Sequence, residues 1–188
     1  MKKLLLLVSV LMIIALLSCN NTKQTDSGQN SSENTEHKGQ ASVEDTESAA
    51  NALSVAKSLP DFTTLVAAIE AAGVEDAVVN AGPLTVFAPT NAAFDKLPKG
   101  TVDDLLKSEN KSKLAYILTN HVAPANYPDV QLIKEAEKGR KLYMASGQYL
   151  EVKKTDEGIS VGGIKILKTV KVSNGWIHVI DDVLVPVE

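Results

Sequence analysis

Thr85-Val86-Phe87-Ala88-Pro89-Thr90-Asn91-Ala92-Ala93-Phe94 decides the fold, because it runs a strand directly into a helix. Leu84 to Ala88 is a short β-prone run, and Pro89, which has no N–H to give to a ladder, stops it. Thr90 is then placed to cap a turn of helix carrying Ala92, Ala93 and Phe94, its hydroxyl oxygen accepting from an N–H that the helix start leaves unpaired. Phe87 and Phe94 read as core anchors.

Upstream of this junction, Phe62, Leu65, Val66 and Ile69 follow the spacing of one helical face, with Asp61 as the expected N-cap and Gly73 just past the end. Downstream, Thr101-Val102-Asp103-Asp104 has the form of a capping box opening a short helix, and Ser108 is placed to cap the next, on which Leu114, Ile117, Leu118 and His121 share a face. The final third changes period. Leu150 and Val152 alternate with Glu151 and Lys153, and Asp156-Glu157-Gly158, Gly162-Gly163 and Asn174-Gly175 punctuate further β-prone pairs through Val183 and Val185. Asn174-Gly175 is the pattern of a type I′ hairpin turn. Helices early and hairpins late predict an α+β domain, with helices packed on antiparallel sheet.

The N-terminus has a different character. Lys2 and Lys3 precede an apolar run from Leu4 to Leu17, interrupted only by Ser9, which is shorter than the roughly 20 residues a membrane span needs and fits the apolar region of a signal peptide. The run ends Leu16-Leu17-Ser18-Cys19, which resembles the lipobox of bacterial lipoproteins. Residues 1–18 are accordingly expected to be removed and Cys19, the one cysteine of the chain, to carry acyl chains at the mature N-terminus. One acyl chain holds a protein only marginally at a membrane, whereas two or three hold it stably. Residues 19–47, rich in Asn, Thr, Ser, Gln and Glu, then read as a polar tether with a reach of roughly 30 Å as a coil and about 95 Å when stretched. Residues 48–188 form the domain.

Composition excludes several classes of function. The net charge of −4 becomes −6 once Lys2 and Lys3 are lost, leaving 17 basic against 23 acidic residues, which argues against nucleic acid. Aromatic residues make up 4% of the 188, too few for a dense stacking strip. A single cysteine at position 19 permits no internal disulfide and no zinc cluster. There is no HExxH, GxSxG, P-loop or GxGxxG pattern. Asp103-Asp104 and Asp181-Asp182 are adjacent pairs whose side chains diverge on a strand, and the stretch from Lys134 to Lys141, interleaved with Glu135 and Glu137, reads as an exposed face. His121 and His178 read as hydrogen-bonded structural residues. No catalytic residue, metal site or cofactor is expected.

Two segments carry a family likeness. Thr85 to Phe94 resembles the first signature of the fasciclin-like (FAS1) domain, and Asn174-Gly175-Trp176-Ile177-His178-Val179-Ile180-Asp181-Asp182-Val183-Leu184-Val185-Pro186 resembles the second, with His121 between them resembling the family's central histidine. The family residues so matched are Thr85, Phe87, Pro89, Thr90, Phe94, His121, Asn174, Gly175, His178 and Asp181. The resemblance implies a FAS1 fold, with helices around a β-wedge of two sheets, and a non-catalytic role in adhesion through a protein or polysaccharide partner. Carriage of a small apolar ligand, pigment or lipid, is the alternative it implies. Animal members commonly have a tyrosine before the central histidine and an Asp-Ile pair before the second signature, both tied to integrin binding. Asn120 and Thr169-Val170 stand in those places, so an integrin-type partner is not supported.

Overall fold

The computed structural model describes residues 50–80 and 82–186. The expected signal peptide, the acylation expected at Cys19 and the expected tether fall outside the described residues.

Helix α1 (Ala52–Ser58) is capped by the Asn51 side chain, which accepts from the Ser54 N–H. A 3-10 turn (Pro60–Phe62) leads into α2 (Thr63–Ala72), which buries Leu65, Ala68, Ile69 and Ala72 and ends, as its pattern predicts, at Gly73 in the left-handed region. Asp61 is not the cap expected of it. It lies within the 3-10 turn behind Pro60, and the open Thr64 N–H donates instead to Asn91 Oδ1, 27 residues away. Two further expected caps fail for similar reasons. Thr101 is already the first residue of α5 (Thr101–Leu105), after Gly100 at φ 84°, and Ser108 opens a 3-10 turn before α6 (Lys111–Thr119). A short α3 (Glu75–Val79) completes this helical layer.

Strand β1 (Leu84–Pro89) and helix α4 (Asn91–Phe94) form the junction read from the sequence, and Thr90 accepts from the Ala93 N–H as its cap. After β2 (Val122–Ala123) comes α7 (Asp129–Glu137), followed by β3 (Lys141–Tyr143), β4 (Tyr149–Thr155), β5 (Gly158–Val161), β6 (Ile164–Val172) and β7 (Gly175–Ile180). The stretch from Lys134 to Lys141 is exposed at Lys134 and from Glu137 onward, as read from the sequence, but Glu135 within it is almost fully buried on α7.

The strands form one hydrogen-bonded order, β2-β1-β7-β6-β5-β4-β3. It is mixed rather than purely antiparallel. β1 lies parallel to β7, from Leu84 opposite Gly175 to Pro89 opposite Ile180. The two halves of the wedge share β6, whose Ile164 and Lys165 pair with β5 while Ile166 to Val172 pair with β7 across an irregularity between Ile166 and Lys168. Such an extra residue bends a strand and raises its twist.

Two cores result. Val86 and Ala88 belong to one with α1, α2 and Leu114 and Leu118 of α6, whereas Phe87, between them, belongs to a second with Leu132, Leu142, Met144, Val161 and Ile180. Alternation along β1 therefore ties the two halves together.

Two expectations about the end of the chain are revised. The turn between β6 and β7 is made by Ser173 and Asn174, and Gly175 is the first residue of β7, opposite both Val172 and Leu84. Glycine is required there because a Cβ would stand 1.8 Å from the Leu84 carbonyl oxygen, at φ 147°. The closing hairpin expected through Val183 and Val185 does not form. β7 ends at Ile180, Val183 is buried without strand pairing, and Val185 is exposed.

Candidate functional site

Thr85 of the first signature and His178 of the second meet where β1, β7 and the chain after β2 come together. Phe87 stands opposite His178 in the parallel register, and their rings stack at 5.3 Å. Thr85, two residues back, donates its hydroxyl proton to Ala125 O at 2.8 Å and accepts from the Tyr127 N–H at 2.9 Å. His178 Nε2 lies 2.7 Å from Tyr127 O, so it carries the proton and donates to that carbonyl. One residue, Tyr127, thus has both backbone groups held by side chains from two different strands.

On the other side of the His178 ring, Thr169 Oγ1 lies 2.9 Å from Nδ1 and 2.6 Å from Asp129 Oδ1, one hydroxyl proton between two acceptors. Burial lowers the His178 pKa, opposed by its bond to Tyr127 and by the charge of Asp129. The imidazole is therefore neutral at pH 7.

A second clamp lies at the end of α6. His121 Nδ1 donates to Ile117 O at 2.8 Å, and its Nε2 accepts from the Leu184 N–H at 2.9 Å, so both ring nitrogens are committed in the neutral form. Desolvation in full burial is the main cause that lowers its pKa to about 4. Asn120 completes the grip, donating to Leu184 O at 3.0 Å and accepting from Ser146 Oγ at 2.8 Å. These two side chains give Leu184 the bonds a neighbouring strand would have supplied.

Asn174 works similarly, accepting from the Ala52 N–H and donating to Val78 O and Asn80 O. Asn91 accepts from the Thr64 N–H and donates to Pro60 O and Thr63 Oγ1. Pro89 is fully buried at the end of β1. Asp181 makes only a half-exposed ion pair with Lys96, at 3.5 Å. Among the described residues no buried side-chain polar atom lacks a partner, and no group of three His, Cys, Asp or Glu is placed to hold a metal. Sequence reasoning assigns no such clamping role to Asn120, Asn91 or Tyr127. The clamps of Asn120 and Tyr127 span 64 and 42 residues, and no local pattern encodes them.

The fasciclin-domain profile matches residues 60–186. The chain belongs to the fasciclin-domain (FAS1) family. It is 43% identical over 155 residues to protein sll1483 of Synechocystis sp., covering 82% of this chain and 83% of that one. Immunogenic protein MPB70 of Mycobacterium bovis is 34% identical over 134 residues, covering 68% and 64%. The FAS1 domain pair from the insect cell adhesion molecule fasciclin I superposes with a TM-score of 0.65 at 22% identity, over 72% of this chain and 51% of that one, a likeness of fold.

With Thr85, Phe87, His121 and His178 turned inward, two outer features of the FAS1 domain stand out among the described residues. The first is a cleft of ≈ 490 Å³ walled by Phe94, Leu105, Leu114, Ile117 and Val183, with His121 at its base. Phe94 is thus half-buried, packed against the first core on one side and forming part of the cleft wall on the other. The second is the outer face of β3 to β6. Strand register puts Lys141, Tyr143, Tyr149, Glu151, Lys153 and Lys165 on that one side, all exposed, with Tyr143 and Tyr149 directly paired at a ring separation of 5.3 Å.

Proposed function

We propose that this FAS1 domain is a non-catalytic adhesion module, held at the outer side of a cell membrane or outer membrane by acyl chains on Cys19 and contacting anionic polysaccharide through the outer face of β3 to β6. The observation that carries the contact is the grouping on that face of three lysines and one glutamate around a paired Tyr143 and Tyr149, on a chain whose net charge is −4. Tyrosine rings give apolar area for the C–H faces of sugars, and clustered cations steer and hold a polyanion. Two paired rings suffice for such a contact without the dense aromatic strip that the composition excludes. The fasciclin I domain pair, similar in fold, comes from an insect cell adhesion molecule, which agrees with this reading. So does the engagement of the buried histidines in backbone clamps, a structural use of both rings.

Two experiments test it. Incorporation of labelled palmitate that is abolished by Cys19→Ser supports the anchor, and digestion of the domain by protease on intact cells supports its outward placement. Unlabelled protein, or a domain protected until lysis, would remove the surface setting.

A second reading, carriage of a small apolar ligand, is favoured by the cleft beside α6, whose volume lies within the roughly 300–1,000 Å³ of small-molecule sites.

A further inference from the structure

The polar groups that line the cleft beside α6 differ sharply in how far they are already engaged. At its base His121 has both ring nitrogens bonded to backbone, to Ile117 O and to the Leu184 N–H. On its rim the Asp104 carboxylate is held by Lys107 at 2.9 Å and by Asn110 at 3.2 Å, and the Lys107 bond is the main reason its pKa is lowered. Lys99 and Lys113 also line the cleft. Both are exposed, and neither has an ion-pair partner within bonding distance among the described residues. The interior thus offers apolar surface with no free hydrogen-bonding group at its base, and its rim offers two ammonium groups without a bonded partner among the described residues, Lys113 lying within electrostatic reach of Asp104. Such a site repays a ligand that is hydrocarbon at one end and anionic at the other.

We infer that the cleft binds a single-chain carboxylate amphiphile, with the hydrocarbon chain against Phe94, Leu105 and Ile117 and the carboxylate at the mouth beside Lys99 and Lys113. This rests on the ligand-carrier reading and names its ligand class. The ≈ 490 Å³ volume is in the lower half of the range for small-molecule sites and suits one acyl chain rather than a diacyl lipid. One wall of the cleft is the segment with Val183 and Val185, flanking the Leu184 that Asn120 and His121 clamp. Binding therefore braces the end of the chain against α6, and a bound ligand raises the thermal midpoint by mass action.

The test is calorimetric titration of the full chain carrying Cys19→Ser, so that no acyl chain of its own competes, with dodecanoate and with its neutral twin dodecanol. Dodecanoate is expected to bind with one-to-one stoichiometry and to weaken as salt is raised, whereas dodecanol binds with little salt dependence. Lys99→Gln with Lys113→Gln should weaken dodecanoate by roughly five- to tenfold and leave dodecanol unchanged, the range for two partly screened charge contacts. Thr101→Trp, which fills the cleft from its half-exposed rim, should abolish both. Val185→Trp, at the exposed opposite rim, serves the same purpose should Thr101→Trp lower the unliganded melting temperature. Equal affinity for acid and alcohol, unaffected by the double lysine variant, would overturn the carboxylate assignment while leaving an apolar carrier. Absence of binding by both probes, or binding undiminished by either tryptophan variant, would remove the carrier reading with it.

Discussion

The Leu184 N–H donates to His121 Nε2 at 2.9 Å, across 63 residues of sequence. Leu184 lies outside any strand, and this bond with its Asn120 counterpart fixes the last described turn of the chain to α6. The bond exists only while Nε2 is unprotonated, which makes the end of the fold sensitive to acid. The folded-state pKa of about 4 lies below the ordinary 6.5, so the unfolded chain takes up the proton first as pH falls. The contribution is whole above about pH 6.5 and is lost progressively toward about pH 4, amounting to about 3 kcal/mol. His178, lowered in the same direction, adds to the same slope. Urea unfolding of wild type at about pH 7 and about pH 4.5 should show the loss. His121→Phe should be less stable at neutral pH and show a smaller acid-dependent loss, the remainder coming from His178. A variant that retains the full wild-type slope would contradict the assignment.

Asn120 is fully buried, and truncating it to alanine leaves Leu184 O without its donor and Ser146 without its acceptor. A buried polar group left unpaired costs about 1–3 kcal/mol, so Asn120→Ala should destabilise by about 2–3 kcal/mol. Amide exchange should quicken near Leu184 more than in β4 and β5. Uniform quickening across the domain would mean that the clamp is not local.

Gly175 and Gly163 separate two reasons for glycine. At Gly175 a Cβ would collide with the Leu84 backbone, which belongs to the parallel partner strand, so Gly175→Ala should cost more than about 4 kcal/mol or prevent folding. Gly163 has φ 84° but open space around its missing Cβ, so Gly163→Ala should cost only about 1 kcal/mol of backbone strain. Thermal melts of the two variants check this. Comparable losses would show that conformation rather than close approach governs position 175.

Phe87 fills the second core and stacks on His178, so Phe87→Ala removes both a large buried side chain and the cover over the ring. A loss of about 3–5 kcal/mol is expected, as for other buried aromatic truncations. Phe94→Ala, on the cleft wall, should cost distinctly less because its ring is only half-buried. Equal losses in chemical denaturation would show that Phe94 is as fully buried as Phe87.

Local chemistry made much of the fold legible. The strand-to-helix junction at Thr90, the end of α2 at Gly73 and the β4 to β6 hairpins follow from capping, left-handed glycine and alternation, each decided by a few neighbouring residues. What escaped the sequence depends on distant partners. Asn174-Gly175 has the local pattern of a I′ turn, yet the nearby Leu84 backbone decides why glycine is there, and the Asn174 side chain bonds to residues near positions 52, 78 and 80. Asp61 and Ser108 had the right chemistry for caps and lost their places to 3-10 turns. The outer face of β3 to β6 was hidden for another reason. Composition counts four tyrosines without saying that two of them stand opposite each other beside three lysines, which only strand register establishes.

Contact with anionic polysaccharide through that face is tested most directly by retention of the full chain on an immobilised uronic-acid polymer. At low ionic strength wild type should be retained and released by salt, Tyr143→Ala with Tyr149→Ala should lose about tenfold or more in affinity, and melting temperatures should stay close because both rings are exposed. Retention of the double variant equal to that of wild type, or no retention of wild type, would contradict it.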